Sequence, residues 1–325
     1  MQRKVLAAIV ASVVAVVAIA ALAFGPANLA NLANPGTNPN LPDTGTGPRP
    51  TSVDTPTWHV GDTWTYQANT SGAGKDPDGP SASGNLTRTV VSADADRYNV
   101  SLEGSFHVVR VIDPAPDTDL ANASMMTMCD PFLRNATVTG YTWYRTSDLA
   151  LLKEVRTLEV GGSIQTDRGT YNASYSATVE TTFDAALDVW SFPLDANETW
   201  NATSNATVHV SVQWHFDGPH IFWDFGKNFT FKVPVLLSLM SGETEDVTTP
   251  AGTFASIPVR IGVPAIVRAQ ADPADSAMGL DHEVPVARDH SVQMWFSGAA
   301  KNVVKTELFA GLIRVNLVLA SYHVS

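Results

Sequence analysis

Thr170-Tyr171-Asn172-Ala173-Ser174-Tyr175-Ser176-Ala177-Thr178-Val179-Glu180-Thr181-Thr182 is the stretch that decides the fold. Tyr171, Ala173, Tyr175, Ala177 and Val179 alternate with Asn172, Ser174, Ser176, Thr178 and Glu180. That period of two marks a strand with one buried and one wet face. The same texture, rich in Thr, Val and aromatics, recurs at Thr63-Trp64-Thr65-Tyr66, Leu86 to Val91, Tyr98 to Leu102 and Phe106 to Ile112. It returns at Thr207 to Phe216, Phe229 to Val233 and Val292 to Phe296. Gly, Asp, Asn and Pro fill the intervals, as at Ala93 to Asp96 and Pro250-Ala251-Gly252. In the second of these, Pro250 presets φ and Gly252 accepts a positive φ, so Val247 and Phe254 can face the core from opposite strands. No long amphipathic helix follows Trp58; only Leu149 to Leu158 is ambiguous. The expected fold is all-β, mainly antiparallel, built as curved sheets or a sandwich, with one N-terminal transmembrane helix.

That helix is read from residues 1–24. Val5 to Phe24 is apolar apart from Ser12 and carries no charge. At 1.5 Å per residue it spans about 30 Å, the thickness of a bilayer's hydrocarbon core. Arg3 and Lys4 precede it, and no basic residue follows until Arg49. The positive-inside rule then puts the N-terminus in the cytoplasm and the rest outside. The alternative is a signal peptide cleaved near Ala23, at Ala21-Leu22-Ala23. Residues 25–56 carry Pro at 26, 35, 39, 42, 48, 50 and 56 among Asn, Gly and Thr, and are expected to form a disordered tether.

The chain holds 32 acidic and 20 basic residues, a net charge of −12. Nucleic acid is excluded as a partner, because phosphate contacts need a basic face. Cys129 is the only cysteine, so there is no intrachain disulfide and no Cys-rich zinc site. Stability must come from packing and sheet hydrogen bonds.

From Asn69 onward the chain has twelve asparagines, and ten begin an Asn-x-Ser/Thr sequon: Asn69, Asn85, Asn99, Asn122, Asn135, Asn172, Asn197, Asn201, Asn205 and Asn228. Chance would give roughly two. The excess points to surface glycosylation and an external location. Asn and Thr are also common in turns and on exposed strand faces, which explains part of it.

Two short runs repeat. Trp143-Tyr144 is followed at a ten-residue interval by Lys153, and Trp295-Phe296 at the same interval by Lys305. Leu151-Leu152-Lys153 aligns with Val303-Val304-Lys305, and Gly61-Asp62-Thr63-Trp64 with Asn197-Glu198-Thr199-Trp200. An even, equal interval keeps Trp and Lys on the same relative face. Two tandem β-units are expected, at 57–160 and 161–325, with each tryptophan ring largely buried.

Trp58-His59-Val60-Gly61-Asp62-Thr63-Trp64-Thr65-Tyr66, Val247-Thr248-Thr249-Pro250-Ala251-Gly252-Thr253-Phe254, and Trp295-Phe296 with Val303-Val304-Lys305 resemble motifs of exported β-domains of archaea and bacteria. The first unit lacks the Pro-Ala-Gly-Thr-Phe hairpin. Those domains are distantly similar to lipoprotein-carrier (LolA-like) folds, which implies a curved antiparallel sheet around an apolar cavity.

Candidate chemistry is sparse. His209, Ser211, Gln213 and His215 share one strand face, and Asp217, His220 and Asp224 follow; the set has the donors of a divalent metal site or of an exposed polar face. Trp214, Phe216, Phe222, Trp223 and Phe225 are read as an aromatic loop, able to stack on sugar or lipid or to pack as core. Met125, Met126, Met128 and Cys129 are soft donors of the kind that hold Cu(I), or an apolar loop patch. No nucleophile elbow, His-Glu-x-x-His or phosphate-cradling loop is present. The expectation is a non-catalytic surface glycoprotein, without cofactor or resident metal, that meets the membrane through its N-terminal helix and has a glycan or lipid as its candidate ligand. The alternative is a carrier of a lipid or other hydrophobic ligand.

Overall fold

The computed structural model describes residues 50–72, 81–110, 135–166, 169–219, 221–262, 266–268, 270–271, 283–285, 290–310 and 313–325. The apolar segment, the tether up to residue 49, Asn122, His220 and the Met125–Cys129 run lie outside them. Strands dominate: β1 (Ser52–Val53), β2 (Thr63–Gly72), β3 (Ser81–Ala93), β4 (Arg97–Arg110), β5 (Asn135–Arg145), β6 (Leu151–Thr166), β7 (Gly169–Leu187), β8 (Leu194–Asp195) and β9 (Thr199–Gly218). They continue as β10 (Ile221–Ser241), β11 (Glu245–Thr249), β12 (Gly252–Gly262), β13 (Ile266–Arg268), β14 (Gln270–Ala271), β15 (Glu283–Pro285), β16 (His290–Ser297), β17 (Asn302–Ala310) and β18 (Ile313–His323). No helix forms among the described residues. Leu151 to Leu158 is strand, and the tether expectation is corrected at its end, where Ser52–Val53 pairs with Leu194–Asp195.

Twelve strands make one antiparallel ring, in the order β2-β3-β4-β5-β6-β7-β9-β10-β12-β16-β17-β18 and back to β2. Between β10 and β12 the ring closes through four residue pairs, Ser238–Ser241 against Gly262–Val259. The sheet is therefore a closed barrel and not a sandwich. Both architectures use the same alternation, and only pairing between the outer strands distinguishes them.

Alternation sets inside and outside. Val138, Leu158, Ala177 and Val212 lie side by side on β5, β6, β7 and β9, all buried in the lumen. Their neighbours Thr137, Thr139, Thr157, Thr178 and Ser211 face out. Burying such a layer contributes about 25 cal/mol per Å² of apolar surface, while the small polar side chains beside it keep this part of the outer wall polar. One end is plugged by Trp58, whose ring lies 5.3 Å from Trp64, 5.3 Å from Tyr98 and 5.4 Å from Tyr144. Trp58 Nε1 donates to the Lys301 carbonyl at 2.8 Å, and Trp64 Nε1 to the Ala300 carbonyl at 2.7 Å.

The hairpins β5–β6 and β16–β17 match in detail. Trp143 pairs with Lys153 and Trp295 with Lys305, and each pairing is followed by a register shift. Leu149 and Lys301, each two residues before its second strand's first shared position, have φ of 58° and 53°. Each lysine lies over its tryptophan, at 5.7 Å for Lys153 and 4.4 Å for Lys305. The lysine heads meet Glu180 and Glu307. Gly61 and Asn197, three residues before Trp64 and Trp200, both have positive φ, 96° and 62°. The expected burial of all four tryptophans needs correction. Trp64 and Trp295 are buried, but Trp143 and Trp200 are half-exposed. Trp143 lies on the outward face, where its lysine covers it. The hairpin expected at Pro250-Ala251-Gly252 forms, with Val247 opposite Phe254 and both buried.

Candidate functional site

Two regions concentrate polar chemistry: the outward face of the tallest strands and a charged cluster inside the lumen. On a strand, the Asn and hydroxyl of a sequon are two residues apart and share a face. Asn69, Asn85, Asn135, Asn172, Asn197, Asn201, Asn205 and Asn228 are exposed. Asn99 is half-buried and its Oδ1 has no hydrogen-bond partner.

A trough of about 680 Å³ crosses this face. Its floor is two adjacent rows over β5, β6, β7, β9 and β10. One row is Asn135, Gly161, Ser174, His215 and Asp224; the other is Thr137, Glu159, Ser176, Gln213 and Gly226. Gly161 and Gly226 supply no side chain, so the floor dips there between the larger flanking groups. Asn135 and Thr137 form one sequon within the floor, and Ser174 is the hydroxyl of the Asn172 sequon.

Of the described residues weighed as metal donors, His215 and Asp224 meet, while His209 lies apart. His215 Nδ1 lies 2.8 Å from Asp224 Oδ1, and His209 Nδ1 lies 2.8 Å from Thr230 Oγ1. Six residues of strand separate the two imidazoles, about 20 Å at 3.3 Å per residue. No cluster of three His, Cys, Asp or Glu that could hold a metal occurs among the described residues. The aromatic loop expected from Trp214 to Phe225 is corrected: β9 and β10 run on as paired strands to Gly218 and Ile221. Aromatic residues occupy both faces there. Trp214 packs against Tyr175 inside the barrel, with ring centroids 4.6 Å apart and the planes tilted by 55°, while Phe222 is exposed outside, 5.6 Å from the His215 ring.

The lumen cluster was not anticipated. Arg88, Glu154 and Arg156 are buried and face inward. Arg88 Nη2 donates to Tyr144 Oη at 2.5 Å, Tyr66 Oη donates to the Val303 carbonyl at 2.9 Å, and Arg156 is ion-paired with Glu154. Burial, aided by the nearby Arg88 and opposed by Tyr144, lowers the Arg156 pKa to about 9, so it stays charged at neutral pH. The signal was parity: Arg88 alternates in phase with Leu86 and Val90, and Arg156 with Leu158. A charge at inward parity is a lumen charge once the strand is assigned. An internal cavity of about 70 Å³ adjoins the cluster, lined by Arg88, Tyr144, Asn302 and Thr306 among apolar side chains.

Buried tyrosines make the barrel sensitive to alkali. Burial pushes the Tyr175 hydroxyl up to about 12 and raises Tyr66 further. Unfolded, both ionise near 10.0. Their contribution is complete below that pH. Above it the unfolded chain sheds protons that the folded barrel retains, so stability falls as pH rises, by up to about 1.4 kcal/mol per pH unit for each tyrosine. Denaturant melts from pH 8 to 12 should show a plateau and then this decline, shallower in Tyr175→Phe. A flat profile across the range is the contrary result.

No family model matches the chain, and no curated protein matches it. It is similar to a Bacteroides fragilis structure described as an exported protein with a YmcC-like fold. The TM-score is 0.32 and the identity 12%, over 84% of this chain and 99% of that one. A likeness of this size carries no argument about the site.

Proposed function

We propose that the protein is a single-pass surface glycoprotein, held outside the cytoplasm by residues 1–24 and a short tether, with a non-catalytic binding or structural role. The supporting observation is the outward placement of the sequons. Eight of them present an exposed asparagine, seven of these on the ring strands, and Asn135, Asn172 and Asn228 lie in or beside the trough on the outer face. Carriage of a lipid would need a pocket of some 300–1,000 Å³ within the sheet. The internal cavity of about 70 Å³ favours the first reading. The ring is further read as two similar halves of six strands, β2–β7 and β9, β10, β12, β16, β17, β18, on the strength of the matched Trp–Lys hairpins.

Protease added to intact cells should remove the body, and mass spectrometry of the released peptides should find hexose-bearing Asn135, Asn172 or Asn228. Asn→Gln at these positions should remove the added mass without lowering the melting temperature. A fully protected body, or unmodified asparagine throughout, would count against the proposal.

A further inference from the structure

We infer that the outward trough is the seat of the glycan carried by Asn135, an uncharged oligosaccharide that lies across β6, β7, β9 and β10 and packs on Phe222. The inference rests on the surface-glycoprotein reading, and its test separates the two. The attachment point comes first. Asn135 stands at one end of a trough row, with His107 beside it on β4 and Gly161 beside it on β6. Its Oδ1 lies 3.4 Å from His107 Nδ1, within hydrogen-bond reach when that nitrogen carries the proton. The amide oxygen is drawn toward β4, which leaves Nδ2, the atom that takes the sugar, on the β6 side. Gly161 has no side chain to stand in the way there, so the first sugar enters the trough directly.

The reach agrees with that direction. From Asn135 the row continues through Gly161, Ser174 and His215 to Asp224. Four steps between neighbouring strands make about 19 Å along the wall, the length of a short oligosaccharide and too long for one sugar.

The chemistry of the floor agrees too. A sugar ring has an apolar face of C–H groups and a rim of hydroxyls. Ser174, Ser176, Gln213, Glu159 and Asp224 line the trough and match the rim, the carboxylates as strong acceptors. Phe222 matches the face. It lies two residues from Asp224 on the same side of β10, and at 68% it is the most exposed large hydrophobic residue among those described. Its ring stands nearly perpendicular to that of His215, at 77°, and offers a flat apolar surface to the C–H groups. Charge sets the class of sugar. Glu159 and Asp224 are carboxylates, and none of the described lining residues is Lys or Arg, so sulfated or uronate-bearing sugars are repelled.

The test is thiol labelling at the trough floor, in the full-length chain expressed in its own cells. Gly226→Cys puts a thiol there with room for it, since the atoms nearest an added Cβ are 3.8 and 4.0 Å away. Maleimide uptake is read peptide by peptide, which keeps Cys129 apart, and the sugar on Asn135 is read in the same digests. Labelling should be at least about threefold slower with the Asn135 glycan present than with Thr137→Ala, which removes the sequon, because the thiol reacts while the glycan is lifted off. Phe222→Ala should recover most of that gain with Asn135 still modified. Met240→Cys, exposed at the other end of β10, should label at one rate in every background. Ordering a flexible glycan costs entropy, so a preference this slight fades on heating and the melting temperature does not report it. Equal labelling at 226 with and without the glycan, or shielding that Phe222→Ala leaves intact, overturns the seating and leaves the surface-glycoprotein reading standing. So does an unmodified Asn135 while other sequons carry sugar. Bare asparagine at every sequon overturns both.

Discussion

Trp64→Ala is expected to remove about 3–5 kcal/mol of stability from the barrel's plugged end. Trp64 is fully buried and lies against Trp58, which in turn touches Tyr98 and Tyr144. Truncation removes the ring against which Trp58 packs. It also deletes the indole hydrogen bond to the Ala300 carbonyl, which ties β2 to the β16–β17 turn. In a body of this size the loss should lower the melting temperature by roughly ten degrees. Trp143→Ala is the control. Its ring is half-exposed on the outer wall beneath Lys153, so it gives up a surface cation–π contact of about 0.5–1 kcal/mol and little core. Equal losses in the two variants would mean that the plug does not organise the core as described.

Glu154→Leu should be nearly as damaging, at about 3–5 kcal/mol, because it leaves the Arg156 charge in the lumen without its carboxylate. The double variant Glu154→Leu/Arg156→Met should recover most of that loss. Exchanging a buried ion pair for apolar side chains of similar volume removes both desolvation penalties together. Denaturant melts of the parent, both single variants and the double variant make a complete cycle. Additive losses, with the double variant the least stable, would show that the two side chains do not act as a pair. Gly140 belongs to the same arrangement. It sits opposite Arg156, and a Cβ there would meet the Val155 carbonyl at 2.1 Å.

Strands were legible because alternation is a local property. Thr170 to Thr182 and Val292 to Phe296 each carry their inside and outside within a few residues, and the Ala93–Asp96 and Pro250–Gly252 turns carry their own backbone chemistry. Closure was not legible. It depends on Ser238–Ser241 reaching Val259–Gly262, which no local pattern specifies. The Trp214–Phe225 stretch was misread because bulky rings on both faces hide a period of two. The sequons were legible as a count, but their shared outward direction needed the strand assignment. The cavity needed the ring, since Arg88, Asn302 and Leu149 meet there from β3, β17 and the β5–β6 turn.

The place of β18 beside β2 has a consequence for how the ring is made. Almost every strand in it finds its neighbours among those synthesised just before and just after it. β2 has β3 at once, but its other neighbour consists of residues 313–323, which leave the ribosome after the other eleven ring strands. Until then β2 is an open edge of unpaired amides and carbonyls, and one flank of the greasy interior is in contact with water. The nascent sheet is therefore most prone to stick to other chains just before completion, and the cell must guard it for nearly the whole of translation. Once β18 docks, the Ser325 amide and hydroxyl bond Asp62 Oδ1 at 2.9 and 3.1 Å, latching the late strand to the early one.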